Sequence, residues 1–311
     1  MTIDYSGLLK ILEQRGLTIT KLGDDLSLST ATRAKFRKGE YVSLQTLEAI
    51  CKYLEASLDQ LLRFVHDSPP SKLLQQLQEE MERNIPASLY HETQILLTYN
   101  SNHIEGSQLT FEQTRRIFET NTVGLEINKA MNVDDIIETV NHFRCVDLMI
   151  RSAQEPLSDD LIKDLHFQLK QGTSQADLDW FNVGGYKLRP NVVGGVRTAH
   201  PVEVQDRMDR LISHYEAKQH KTMQDIIEFH VEFERIHPFQ DGNGRVGRLI
   251  AFKESLRHRL IPFTIDQELQ PFYYRGLKEW DHDQAFLIDT CLRGQDKYTD
   301  IVRMFEWKEA L

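Results

Sequence analysis

Residues 237–248 read HPFQDGNGRVGR, and they constrain the local fold on both sides of themselves. Upstream, Ile226, Ile227, Phe229, His230, Phe233 and Ile236 recur at helical spacing, and Pro238 forces that helix to end around His237. Phe239 is expected to turn inward and anchor the loop. Gly242 and Gly244 flank Asn243, which lets successive backbone N–H groups converge on an anion. A second helix starts here, so its free N–H groups and dipole add to the same place. Arg245 and Arg248 are three apart and share one face beside that N-terminus, where phosphate is their natural partner. With the Asp241 carboxylate, these are the parts of phosphoryl or nucleotidyl chemistry with a histidine base.

The rest of the chain reads as mostly helical. Stripes at 73–81, 87–103, 111–118, 133–150 and 157–169 precede the string, and helices resume at Val202 and Met223 and continue to the C-terminus. Gly184, Gly185, Pro190, Gly194 and Gly195, with Val192, Val193 and Val196 between them, give hairpin composition instead. His66-Asp67-Ser68-Pro69-Pro70-Ser71 is the clearest linker, since two prolines cannot continue a helix. Before it lie five short helical patterns: residues 8–12, ending at Gly16; Ile19, Leu22 and Leu26; residues 31–38, capped by Ser29 or Thr30 and stopped by Gly39; residues 44–54; and residues 58–62.

Charge separates the two parts. Residues 1–66 carry 9 Lys/Arg against 8 Asp/Glu, while the remainder carries 28 against 39, giving the net −10. An acidic body argues against broad nucleic-acid binding by that part. Cys51, Cys145 and Cys291 are scattered and without metal-ligand spacing, which suits reduced thiols. There is no charged-then-apolar leader and no apolar run of membrane-spanning length, so a cytoplasmic location and no membrane partner are expected.

The string resembles the signature of the Fic family, H-x-F-x-[DE]-G-N-G-R-x-x-R, with every fixed position filled. The resemblance implies an all-α fold, a helical domain with a small β-hairpin flap, spanning 73–311 behind a 66–72 linker. It implies transfer of AMP from ATP to a Ser, Thr or Tyr hydroxyl of a target protein, with release of pyrophosphate. His237 would be the base and Asp241 the ligand of Mg²⁺. Gly242, Asn243 and Gly244 would hold the α-phosphate, with Arg245 and Arg248 on the β- and γ-phosphates. Members that transfer phosphate carry Lys where this chain has Gly244, and members that transfer phosphocholine carry Ala where it has Gly242, so AMP transfer is favoured.

Two more segments extend the resemblance. Residues 101–106 read SNHIEG and fit the inhibitory motif [ST]-x-x-x-E-[GN], which implies a helix around 95–106 whose Ser101, Glu105 and Gly106 serve self-inhibition, Glu105 taking Arg248 from the γ-phosphate. Residues 185–201 resemble the flap that aligns the target, with Lys187 and Val193 as contact positions. Tyr273 and Tyr274 match an aromatic pair bordering adenine; two helix aromatics with one of them buried is the other reading. Removal of AMP, with Glu105 positioning a water, is an alternative direction, and self-modification is an accompanying expectation.

The N-terminal patterns resemble a Cro/C1-type helix-turn-helix domain over 1–65, most closely in RKGEYVSLQTLEAICKYLEASLDQLL. Its third helix would enter the major groove with Ser29, Thr30, Thr32, Arg33 and Lys35, placing Arg37 and Lys38 near phosphates. DNA is then a partner and the chain a regulator whose other domain senses nucleotide. A small bundle for dimerisation or docking is the alternative, because Asp24 and Asp25 on the preceding helix would repel phosphate if they faced it. A homodimer is left open.

Overall fold

The computed structural model describes residues 2–38, 40–65, 71–124 and 130–305. The chain divides into two compact units, 1–69 and 70–311. His66 to Pro70 of the expected linker, and Gly39, lie outside the described residues.

In the first unit, β1 (Thr2–Asp4) precedes α1 (Ser6–Gln14), α2 (Ile19–Asp25), α3 (Thr30–Lys38), α4 (Leu44–Tyr53), α5 (Leu58–Leu61) and β2 (Arg63–Val65). The five helices follow the apolar spacing, with Thr18, Ser29 and Ser43 accepting from N–H groups of the first turns of α2, α3 and α4. Their buried faces share one core that includes Leu8, Leu22, Phe36, Ile50 and Leu61. The antiparallel pairing of β1 with β2, Thr2 opposite Val65 and Asp4 opposite Arg63, adds a strand clip that the helical reading does not contain.

The second unit is helical: α6 (Lys72–Glu82), α7 (Leu89–Ile104), α8 (Phe111–Thr120), α9 (Val133–Arg151), α10 (Asp159–Lys170), α11 (Pro201–Ala217), α12 (Met223–Ile236), α13 (Asn243–Arg257), α14 (Gln270–Glu279) and α15 (Ala285–Phe305). Side-chain caps start most of them, Ser88 for α7, Ser158 for α10 and Thr222 for α12 among them. Helix α13 lies at the centre, packed against α7, α9, α10 and α12. It is buried on all sides, which requires its polar residues to find partners. The hairpin of β3 (Val192–Val193) and β4 (Val196–Arg197) turns at Gly194 and Gly195, both at positive φ, as a two-residue turn of this hand requires. Among the described residues no helix is long and apolar enough to cross a membrane.

Candidate active site

Helix α12 stops at Ile236, and His237 caps it in the left-handed region at φ 50°. Pro238 disfavours the helical conformation for the residue before it, so the chain must turn there. The His237 side chain is 16% exposed, and its Nδ1 lies 3.8 Å from a carboxyl oxygen of Glu234. Burial, helped by the Lys187 ammonium, pushes the imidazole down to about 4. An unburied imidazole titrates near 6.5, and the burial that lowers this one is not visible in the sequence. Burial also pushes the neighbouring Glu234 carboxyl up to about 8, with Arg248 opposing and Glu105 adding to the rise.

Phe239 turns inward and stacks on His166, their ring centroids 3.9 Å apart. The Asn243 amide closes the loop on itself: Oδ1 accepts from Phe239 N at 2.8 Å, and Nδ2 donates to Phe239 O at 2.9 Å. Gly242, at φ 82°, then leads into α13. The side chain of Asn243 is thus committed to loop shape, and what the loop offers an anion is the first-turn N–H groups of α13.

A carboxylate already lies over that helix start. A Cβ on Gly244 would collide with Glu105 Oε1, so Glu105 rests against the glycine at the entry to α13. The same oxygen accepts from Arg248 Nη2 at 2.7 Å. Ser101, one turn earlier on α7, holds the guanidinium as well: its hydroxyl accepts from Nε at 3.1 Å and its carbonyl from Nη2 at 3.0 Å. Burial works against the charge on Arg248, but Glu105 outweighs it and keeps the guanidinium protonated. Residues 101 and 105 therefore meet Arg248 at the spacing that the SNHIEG segment implies. Gly106 follows at φ 98°, a conformation that favours glycine.

Arg245 faces the other way. Its guanidinium pairs with Glu138 of α9 and lies 3.5 Å from Asp241 Oδ2 and from Asn102 Oδ1. Asp241 Oδ2 also accepts from Lys170 Nζ at 2.7 Å. Burial raises the Asp241 carboxyl, yet Lys170 and Arg245 together hold it down at about 2. Asp241 is ionised and half-exposed, and among the described residues no group of three His, Cys, Asp or Glu could hold a metal ion. These residues fit a hard divalent cation in one way, as a single carboxylate ligand with phosphate oxygens and water completing the shell. Lys170 and Glu138 escape sequence reading because their partners are distant along the chain.

The flap is tied to the same loop. Lys187 N donates to Pro238 O at 2.8 Å, and Asn191 Nδ2 donates to Phe239 O at 3.2 Å. The Lys187 ammonium is buried and donates to Asn191 Oδ1, Thr198 Oγ1 and Ile236 O. As a target contact Lys187 must be corrected: its side chain fixes the hairpin from beneath, whereas Val193 is exposed. Of the aromatic pair, Tyr274 is exposed and donates to Ile104 O at 3.1 Å. Tyr273 is 1% exposed with its hydroxyl 2.6 Å from His230 Nε2, so it belongs to the core beneath Arg248 and borders no open purine site.

At the start of α3, Ser29 and Thr30 are exposed, while the Thr32 hydroxyl pairs with that of Ser29 at 2.9 Å. Arg33 differs from a base-reading residue. It donates from Nε to Leu28 O at 2.9 Å, pairs with Asp24 at 2.8 Å, and packs where a Cβ on Gly23 would collide with it. Lys35 donates to Tyr41 O at 3.1 Å. The side chains of Arg37 and Lys38 lie outside the described residues. Asp24 is thus neutralised by Arg33, and Asp25 by Lys21 and the Tyr53 hydroxyl. Arg33→Ala is expected to remove about 1 kcal/mol from this unit and lower its thermal midpoint by roughly 5 °C. Circular dichroism melts of the full chain test this; an unchanged midpoint would return Arg33 to the DNA-facing set.

Residues 156–253 match the profile of the Fic/DOC family, and residues 7–67 match that of the Cro/C1-type HTH DNA-binding domain. A Nematostella vectensis relative named protein adenylyltransferase Fic is 26% identical over 193 residues, covering 59% of this chain and 42% of its own length. A probable protein adenylyltransferase of Aquifex aeolicus is 27% identical over 196 residues, covering 58% of each. The chain thus spans about half the length of these relatives. A Fic domain containing signaling protein from Bacteroides thetaiotaomicron has a similar fold, with TM-score 0.59 and 23% identity over 76% of this chain and 99% of that one.

Proposed function

We propose that this chain, which carries a Fic/DOC domain behind a Cro/C1-type helix-turn-helix domain, transfers AMP from ATP to a hydroxyl side chain of a target protein and restrains itself through Glu105. The observation that carries this reading is the Glu105 carboxylate lying against Gly244 and paired with Arg248. An anion already rests where α13 would receive the phosphates, and it uses the arginine that a γ-phosphate would need.

In the open site, neutral His237 takes the proton of a Ser, Thr or Tyr hydroxyl. The hydroxyl oxygen bonds to the α-phosphorus, the bond from that phosphorus to the bridging oxygen breaks, and pyrophosphate leaves. The first-turn N–H groups of α13 at Asn243 and Gly244 hold the α-phosphate, and Arg248 takes the terminal phosphate. Asp241 would hold Mg²⁺, which would offset charge on the leaving group. The exposed hairpin edge around Val193 receives an extended target segment by main-chain pairing. Intact-mass spectrometry of the Glu105→Gly chain with ATP, Mg²⁺ and candidate proteins tests the reading. Added AMP supports it; added phosphate, or no addition, overturns it.

The low value of His237 has a kinetic consequence. A base must be neutral to accept a proton, so on the acid side kcat/KM should fall only as pH approaches about 4. From about pH 5.5 to 8 this group should leave the profile flat. An acid limb centred near 6.5 would mean that the imidazole is solvated in the working enzyme.

DNA binding by the first unit is a second reading, favoured by the exposed start of α3 and the neutralised Asp24 and Asp25. Salt-dependent retention of a short promoter fragment tests it; no retention at low salt would leave a docking module.

A further inference from the structure

Lys170 is the last residue of α10 and is 2% exposed. Its ammonium pairs with Glu138 and with Asp241 Oδ2, and lies 5.5 Å from the Phe181 ring centroid. Its stem runs past Gly242, with Cδ 3.7 Å from where a Cβ would stand there. Arg245 pairs with the same two carboxylates. Two cations and two carboxylates thus form a closed, neutral ring whose Asp241 corner is half-exposed and opens beside the start of α13. Leaving a lysine ammonium in such a place is costly without full pairing, and one of its two partners here is the carboxylate that a metal ion would use.

We infer that Lys170 is a resident cation at Asp241 that does part of a divalent ion's electrostatic work, so that this chain binds ATP with little dependence on metal. The inference rests on the reading that ATP binds at the start of α13. A divalent ion approaching Asp241 finds the carboxylate already offset by Lys170 and Arg245 and competes with Lys170 for Oδ2. Triphosphate at the start of α13 brings negative charge to the same corner and gains from Lys170 without that competition.

The test is calorimetric titration of ATP into the full chain carrying Glu105→Gly, in Mg²⁺ and in EDTA. The same measurements are made with Lys170→Met added and, should methionine prevent folding, with Lys170→Gln. Chelation is expected to weaken ATP binding by less than about fivefold with Lys170 present and by more than about thirtyfold without it. Electron paramagnetic resonance with Mn²⁺ and ATP should show ion binding tightened by about tenfold or more in the Lys170 variants. A loss above about thirtyfold on chelation with Lys170 in place would overturn the inference, as would variants within about twofold of the parent. In either case ATP would still bind and the proposed activity would stand. No ATP binding to any variant, with or without metal, would instead remove the proposed activity and the inference with it.

Discussion

Glu105→Gly should raise the rate of AMP transfer by about 10- to 40-fold, the largest gain expected of any single change. Glu105 Oε1 touches both the glycine at the start of α13 and the Arg248 guanidinium, so one carboxylate removes two phosphate contacts at once. A hydrogen bond to a charged group contributes about 1.5–3 kcal/mol, and the glutamate side chain is 31% exposed, so the lower part of that range applies. Such energies correspond to the stated rate factor if the freed arginine is used in the transition state. Ser101 matters here. Its hydroxyl and carbonyl keep holding Nε and Nη2, so Arg248 remains aimed when Glu105 is gone. Glu105→Gln, which keeps the shape and removes the charge, should fall between parent and glycine variant. Quantitative intact-mass kinetics check the order; equal rates for all three chains would mean that Glu105 restrains nothing.

Removing the His237 imidazole is the largest loss expected. In the Glu105→Gly background, His237→Ala should lower the transfer rate by about 10²–10⁴-fold, the usual range for a positioned base. ATP affinity should stay within about threefold, because the imidazole is not among the groups that receive phosphate. One structural cost must be separated from the chemical one. His237 sits at φ 50°, and alanine in that region is strained by about 1–2 kcal/mol. His237→Asn is therefore the better variant, since asparagine tolerates left-handed backbone. Both should be inactive while the asparagine variant melts nearer the parent. Activity retained by His237→Asn would remove the base from the mechanism.

Much of this site is legible in the sequence because its parts are local. Pro238 ends α12, Gly242 opens α13, and residues 101 and 105 sit one helical turn apart, so motif spacing translates directly into contact with Arg248. The hairpin is legible for the same reason, through Gly194 and Gly195. What is lost is long-range. Lys170 directly follows the 157–169 stripe and carries no local sign of its partner, yet it reaches a carboxylate 71 positions away. Arg33 reads as a base contact, while the signal that it packs inward is the absent side chain of Gly23 on another helix. Tyr273 and Tyr274 are adjacent and chemically alike, and only the His230 partner decides which one is core. Strands of three residues, as in β1 and β2, are too short for alternation to be counted.

Glu105 caps α7, and its N–H and that of Gly106 bond three residues back, to Asn102 and His103. Beyond these, Tyr274 and Gln270 of α14 both donate to the Ile104 carbonyl. Withdrawing the carboxylate from Gly244 therefore needs no domain motion. Loosening the terminal turn of α7 is the smallest movement that would do so, and it must break the Glu105–Arg248 pair. Ser101 lies one turn deeper and stays in place. The threshold for release is set by the Glu105–Arg248 pair, by the backbone bonds of Glu105, Gly106 and Ser107, and by the two donors from α14.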